Sequence, residues 1–252
     1  MAVVTGGARG IGRAIAEDLA SKGVAVCVNY ASGADAAEQV AAGIKNRGGR
    51  AIACRADVAD VDAVKAMMIR AEAELGPLTI LVNNAGLLYQ ATLETFDCQK
   101  FDRMRRVNVD GIIHTTRAAM TGMQARGYGR IINIASIAGL GTSRPGIAFY
   151  ASTKAEVIVL TKRFALELGG HGITVNAVAP GFVKTDMAQE GVDTSKWEAI
   201  EKSAAERTMV RRIGKTSDIS NAVTFLASPE TGWITGQALV VDGGRMDYIG
   251  HG

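Results

Sequence analysis

Proline is scarce in this chain of 252 residues, with 4, and so are histidine and cysteine, with 3 each, and aromatic residues, at 5%. Each shortage excludes something. Cys27, Cys54 and Cys98 are too few and too scattered for a disulfide framework, and no zinc-ligand spacing occurs, so no metal site is expected. Cys27 and Cys54 sit in apolar, strand-like segments and read as small buried hydrophobes, in a reducing, cytoplasmic setting. No apolar run approaches the ~18 residues of a membrane span, and no signal-peptide pattern opens the chain. Charge is nearly balanced at +3, without a basic stripe interleaved with aromatics, which argues against nucleic acid as a partner. Linkers, repeats and low-complexity tracts are missing too, so residues 1–252 read as a single domain.

What is abundant is glycine, at 30, set among apolar residues that make up 48%. Strand and helix patterns alternate. Strands are expected at Ala2–Val4, Val24–Val28, Ala51–Arg55, Thr79–Val82, Arg130–Ala135, Ile173–Val178 and Ala238–Val241. Helices are expected at Arg13–Ala20, Asp35–Arg47, Val61–Leu75, Asp97–Arg126 with an irregularity near Asn108, Phe149–Leu168 and Ser217–Ala227. Such alternation predicts an α/β fold of three layers, a doubly wound, mainly parallel seven-stranded sheet with helices on both faces. Ligands in such sheets bind beyond the carboxyl ends of the strands. Residues 182 to about 204 read as one long irregular stretch, either a substrate loop or an ordinary surface insertion.

Two motifs carry chemistry. The first strand runs straight into Thr5-Gly6-Gly7-Ala8-Arg9-Gly10-Ile11-Gly12, and helical spacing follows at once. Strand, glycine loop and helix together make a seat for a dinucleotide pyrophosphate. Glycine lets the backbone turn tightly and approach the ligand, and the helix N-terminus offers free N–H groups and partial positive charge. The second motif, Tyr150-Ala-Ser-Thr-Lys154, sets a phenol and an ammonium at i and i+4 on one helix face. A nearby cation favours phenolate, which would make Tyr150 a proton carrier near neutrality. That spacing is common by itself and gains meaning from the glycine loop.

These segments, with Asn83-Asn84-Ala85-Gly86, Ser136 and Pro180-Gly181 in order between and after them, resemble the short-chain dehydrogenase/reductase family. The resemblance spans essentially the whole chain, through Val240-Val241-Asp242-Gly243-Gly244, and its texture is nearest to 3-oxoacyl-[acyl-carrier-protein] reductase-like and sugar dehydrogenase-like members. It implies the Rossmann form of the fold and hydride transfer between a nicotinamide and a carbonyl or secondary alcohol. On that analogy Tyr150 donates the proton, and Lys154 keeps it acidic and holds the nicotinamide ribose. Ser136 hydrogen-bonds the substrate oxygen, and Asn108, at a helix kink, holds a water that relays protons to Lys154. Read singly, Ser136 is equally a turn cap and Asn108 a mid-helix Asn bonded to its own backbone. The interval from Ser136 to Tyr150 is slightly longer than the family's commonest, with the extra length falling within 139–146.

Around the cofactor the analogy gives Gly6, Gly10, Ile11 and Gly12 the pyrophosphate and Asp57 with Val58 the adenine. Asn84, Ala85 and Gly86 line the ribose side, Tyr150 and Lys154 the nicotinamide ribose, and Pro180, Gly181, Val183 and Thr185 the carboxamide. A helix N-cap is the rival reading of Asp57. A homotetramer, or homodimer, is implied through the 97–126 and 149–168 helices and the last strand. The tail from Arg245 to Gly252 either reaches a neighbouring subunit's site or is loose.

The choice of nicotinamide turns on the end of the second strand, where NAD sites carry an acid. Here it reads Val28-Asn29-Tyr30-Ala31-Ser32, without a carboxylate, and Arg9 stands in the glycine loop. A guanidinium fork grips a phosphate, with Asn29, Tyr30 and Ser32 around the ribose. NADP(H) is therefore expected, with NAD(H) also accepted if Arg9 is only a solvated charge. The substrate is expected to be a small carbonyl compound or alcohol, and Leu87, Leu88, Leu140 and Phe149 lean toward an apolar, acyl-like one. A sugar or polyol dehydrogenase is the alternative. A non-catalytic NADP(H)-binding sensor is a further one, weakened because Asn108, Ser136, Tyr150 and Lys154 are all present.

Overall fold

Short, almost wholly apolar strands predict a sheet buried on both faces, and a computed structural model, which describes residues 1–185 and 193–247, has this arrangement. The strands are β1 (Ala2–Val4), β2 (Val26–Tyr30), β3 (Ala51–Arg55), β4 (Ile80–Asn83), β5 (Gly129–Ile134), β6 (Ile173–Pro180) and β7 (Ala238–Val241). They form one seven-stranded sheet in the order β3-β2-β1-β4-β5-β6-β7. Every neighbouring pair is parallel. Side chains alternate between the two layers: Ala2 and Val4 enter one apolar cluster and Val3 the other. The chain winds outward from β1 to β3 and returns to β4 on the far side of β1, which opens a crevice beyond the carboxyl ends of β1 and β4.

On one face lie α1 (Gly10–Ser21), α2 (Ala34–Asn46) and α8 (Thr216–Ala227), through Ile15, Val40 and Ile219 among others. On the other lie α3 (Val61–Leu75), α5 (Gly111–Arg126) and α6 (Ala148–Leu168), through Met67, Met123 and Ala165. Side chains such as Ile15, Leu81, Ile132 and Ile173 are essentially fully buried, each contributing about 1.5–3 kcal/mol.

Two helices matter for the site. α4 (Cys98–Arg105) passes into a π-helical turn, Arg106–Asp110, before α5, so the irregularity expected near Asn108 is a one-turn bulge. The expectation of an irregular stretch over 182–204 is corrected in part. Thr194–Glu206 forms a helix, α7, while residues 186–192 lie outside the described residues. Trp197 and Ala204, on one helix face, are buried, and the Trp197 ring stacks on Phe182 at 5.9 Å between centroids. Polar residues between them hid that periodicity. β2 and β6 also sit further along than expected, reaching Tyr30 and Pro180 and carrying both strand ends toward the crevice.

Candidate active site

The glycine loop is held open by hydrogen bonds from residues remote in sequence. Thr5 Oγ1 accepts from Asn84 N at 2.9 Å and Ala85 N at 3.0 Å. Asn84 Nδ2 donates to Thr5 O and Gly6 O at 2.9 and 3.0 Å. Gly10 opens α1 at φ +54°, and a Cβ on Gly12 would stand 2.2 Å from Gly6 O, a clash only glycine avoids. α3 and α4 begin on the capping carboxylates of Asp60 and Asp97, whereas α1 begins at Arg9 without a side-chain cap. Its first N–H groups are thus left facing the crevice, as anion binding at a helix N-terminus requires.

A cleft of about 450 Å³ runs from this loop across the sheet edge, lined by Gly6, Arg9, Gly10, Ile11 and Gly12 of the loop and by Asn84, Ala85 and Gly86 after β4. Tyr30, Ser32, Asp57, Val58 and Thr185 also line it. The fit to a dinucleotide rests on this cradle. Gly12 admits no side chain, and a Cβ on Gly86 would point at Asn108 Oδ1 and Lys154 Nζ, at 3.4 and 3.7 Å. Arg9 is exposed, and among the described residues its guanidinium has no hydrogen-bond or ion-pair partner. Asn29 borders the cleft but its amide is committed elsewhere. Oδ1 accepts from Gly6 N at 3.2 Å, and Nδ2 donates to Cys54 O and Ala56 O. That amide braces the loop against β3, and both Nδ2 protons are spent on doing so.

Asp57 does not cap α3; Asp60 does. Asp57 accepts from Ala59 N at 3.0 Å and pairs with Arg103 at 2.8 Å across the cleft. Burial opposes its ionisation, but the Ala59 and Arg103 bonds outweigh it and hold the carboxyl below its usual range. Arg103 is a cleft residue that sequence reasoning missed, because it lies 46 positions away.

The residues expected to handle the proton lie where β5 ends and α6 begins. Ser136 caps the short 3₁₀ turn Ile137–Leu140, accepting from Ala138 N at 3.1 Å, and it lines a second cavity of about 520 Å³ together with Tyr150. Capping and pocket-lining therefore coexist on one hydroxyl. Tyr150 is half-buried, with its phenol raised above the ordinary value by desolvation; the Ser136 hydroxyl beside it, then the Arg144 charge, pull it partly back. The expectation that Lys154 holds the phenol down is corrected. Lys154 Nζ donates to Ile134 O at 2.7 Å and stands 5.8 Å from the Tyr150 ring centre. Burial lowers Lys154 to about 8.

Asn108 is fully buried in the bulge, and its side chain makes three hydrogen bonds. Oδ1 accepts from Leu87 N at 2.8 Å, while Nδ2 donates to Leu87 O at 3.0 Å and Thr153 Oγ1 at 3.1 Å. Thr153, between Tyr150 and Lys154, thereby ties the catalytic helix to the bulge and passed unnoticed in sequence. So did the ladder from Thr115 through Asn83 and Asn133 to Thr161, at 2.7–2.9 Å, which braces the sheet beneath.

On the far wall Pro180 ends β6, and Gly181 N donates to Val241 O at 3.0 Å. Val183 is buried and pairs with Gly214, which fixes the turn that brings Thr185 against Gly10. The loop after Ser136 has left-handed glycines at 141 and 146 and carries Arg144 to the second cavity.

Over residues 6–245 the chain matches a family described as enoyl-(acyl carrier protein) reductase. It is 42% identical over 243 residues to a 3-oxoacyl-[acyl-carrier-protein] reductase FabG of Staphylococcus aureus, covering 96% of each chain. Among solved structures it is similar to a short-chain dehydrogenase/reductase from Serratia marcescens, with TM-score 0.87, 39% identity and 96% of both chains covered. It is also similar to a gluconate 5-dehydrogenase from Burkholderia cenocepacia in complex with NADP and tartrate, with TM-score 0.88, 36% identity, and 96% of this chain and 93% of that one covered. Among the described residues no helix is long and apolar enough to cross a membrane.

Proposed function

Because the chain belongs to the short-chain dehydrogenase/reductase family, and is thus an oxidoreductase acting on CH–OH groups, we propose that it is an NADP(H)-dependent ketoreductase of the 3-oxoacyl-[acyl-carrier-protein] reductase type. The observation that carries this reading is the junction of the two cavities. Ser136 and Tyr150 line one, Gly86 and Ile134 the other, and Lys154 lies between them on Ile134 O. When bound, the nicotinamide supplies or accepts the hydride. In reduction, Tyr150 gives its proton to the alkoxide oxygen as it forms. A phenol held above its ordinary value stays protonated at neutral pH, and it gives up that proton only to the far more basic alkoxide that forms. Ser136 Oγ donates to that oxygen and stabilises its developing charge. Lys154 sits cationic behind the phenol on Ile134 O and holds the ribose hydroxyls. Asn108 and Thr153 keep the bulge and the catalytic helix in register.

For the cofactor, the reading toward NADP(H) draws on unpaired Arg9, on the lack of a carboxylate at the end of β2, and on the NADP in the similar Burkholderia structure. The same family reading carries a homotetramer. Val159 and Leu166 on α6 and Leu239 and Val240 on β7 are exposed apolar residues on the elements expected to pair. A cytoplasmic setting fits free Cys27, Cys54 and Cys98. The test is the loss of NADPH absorbance with neutral 3-oxoacyl thioesters, diketones and aldehydes. Turnover of thioesters supports the reading. Turnover confined to sugar acids and polyols with NADP+ would move it to the sugar dehydrogenase class, which the gluconate dehydrogenase similarity favours.

A further inference from the structure

The substrate cavity has a charge that neither the apolar expectation nor the catalytic group uses. Its walls are largely apolar, with Leu88, Ile147, Phe182 and Ile200 among them, yet three arginines also line it: Arg144, Arg207 and Arg245. They come from three separate places, the loop after Ser136, the end of α7 and the segment after β7, so no local pattern in the sequence announces them. Among the described residues lining the cavity there is no carboxylate.

One acid stands behind the arginines. Asp247 pairs with Arg245, whose side chain is 8% exposed, and lies 3.5 Å from Arg207. It also accepts from Ser143 Oγ at 3.4 Å, while its carbonyl accepts from Ser143 N at 3.1 Å, which fastens the Arg144 loop to the same hub. One carboxylate therefore serves two guanidiniums and leaves the third unmatched. Arg144 has no hydrogen-bond or ion-pair partner among the described residues, and its charge is felt at the Tyr150 phenol. An exposed guanidinium with no partner among the described residues, lining the same largely apolar cavity as Tyr150, is an arrangement for gripping an anion that enters with the substrate.

We infer that the substrate reduced at Tyr150 is a carbonyl compound carrying its own anionic group, a carboxylate or a phosphate, which Arg144 holds with Arg207 beside it. This rests on the reading of the Tyr150 site as a carbonyl reductase and moves its substrate class from neutral acyl compounds to keto acids or ketose phosphates. Arg144 is then a specificity-determining residue, and its fork selects planar oxyanions over neutral esters of the same carbon skeleton.

The experiment compares matched pairs with NADPH at low salt: short keto acids against their methyl esters, ketose phosphates against the free ketoses, and an uncharged 3-oxoacyl N-acetylcysteamine thioester as reference. The anionic member of a pair is expected to have a kcat/KM at least about tenfold higher, the size of one charge-assisted hydrogen bond, with the gain carried by KM and weakened by added salt. Whether acids or phosphates gain more identifies the anion. Arg144→Met changes the Tyr150 environment for both members alike, so the readout is their ratio, which should fall close to unity. Neutral members turned over as well as anionic ones, or a ratio that survives Arg144→Met, would overturn the inference while leaving the ketoreductase reading standing. Absence of turnover with every carbonyl compound, although NADPH binds, would remove that reading and this inference together.

Discussion

The two cavities that meet at Tyr150 are built in opposite ways. The dinucleotide cleft is walled by strand ends, glycines and the start of α1, and its polar groups are locked by Thr5, Asn29 and Asn84. The substrate cavity is walled by the loop after Ser136, by α7 and by the segment after β7, and its charged groups are long arginine side chains. A rigid frame suits a ligand shared by a whole family. A frame of loops lets one fold serve many substrates. If this contrast is right, damage to the first cavity should act on folding and cofactor binding, and damage to the second on substrate choice.

The junction itself should give the largest effect. Tyr150→Phe removes only the hydroxyl, so turnover should fall by ~10²–10⁴-fold while NADPH binding, followed by fluorescence, stays near wild type. Equal loss of binding would make Tyr150 a structural residue. Next comes the rigid side. Gly12→Ala must push its methyl into Gly6 O, where only 2.2 Å is available, and should cost about 1–3 kcal/mol of stability together with NADPH affinity. Gly43→Ala, inside α2 with its nearest neighbour 3.6 Å away, should instead stabilise by about 0.5–1 kcal/mol. Urea midpoints and NADPH titrations of the pair would separate a cradle from an ordinary glycine.

Lys154 is where function and stability oppose each other. Burial brings it to about 8 from an ordinary 10.5. Below about 8 the folded chain must hold a desolvated charge, at a cost of about 3 kcal/mol. Between 8 and 10.5 only the unfolded chain keeps the proton, so stability from this group rises with pH across that window. Lys154→Met should therefore melt higher than wild type at pH 7, lose that rise above pH 8, and lose both turnover and cofactor affinity. In the wild type, kcat/KM for reduction should be level up to about pH 8 and fall above it as Lys154 gives up its proton. A lower melting point for Lys154→Met would mean that the bond to Ile134 O outweighs desolvation.

Much of the rigid half was legible because its signals are local. The glycine spacing, the Tyr150–Lys154 turn and the irregularity at Asn108 each sit within a few residues. What escaped was pairing over long separations. Nothing near Asn29 tells that its amide is spent on Gly6 and Ala56, and nothing near Asp57 announces Arg103. A cap is the rival reading of Asp57, but α3 begins at Val61 and takes Asp60 as its cap. The looped half was least legible. α7 was masked by its polar face, and three arginines and one aspartate from distant segments acquire meaning only once they converge.

On activity the smallest effect expected is at Arg9, and it asks whether the cleft discriminates at all. Its guanidinium is exposed and unpaired among the described residues, so a phosphate contact there forms partly in water and is screened by salt. Arg9→Ala should lower kcat/KM for NADPH about tenfold, one unit of charge-assisted binding, and leave NADH within about twofold. Because Asn29 is already committed to the loop, little else on that side replaces the lost charge besides Tyr30 and Ser32. Unchanged NADPH kinetics would show that the cleft takes both nicotinamides alike, and would assign to the substrate cavity all of the charge selection this enzyme exerts.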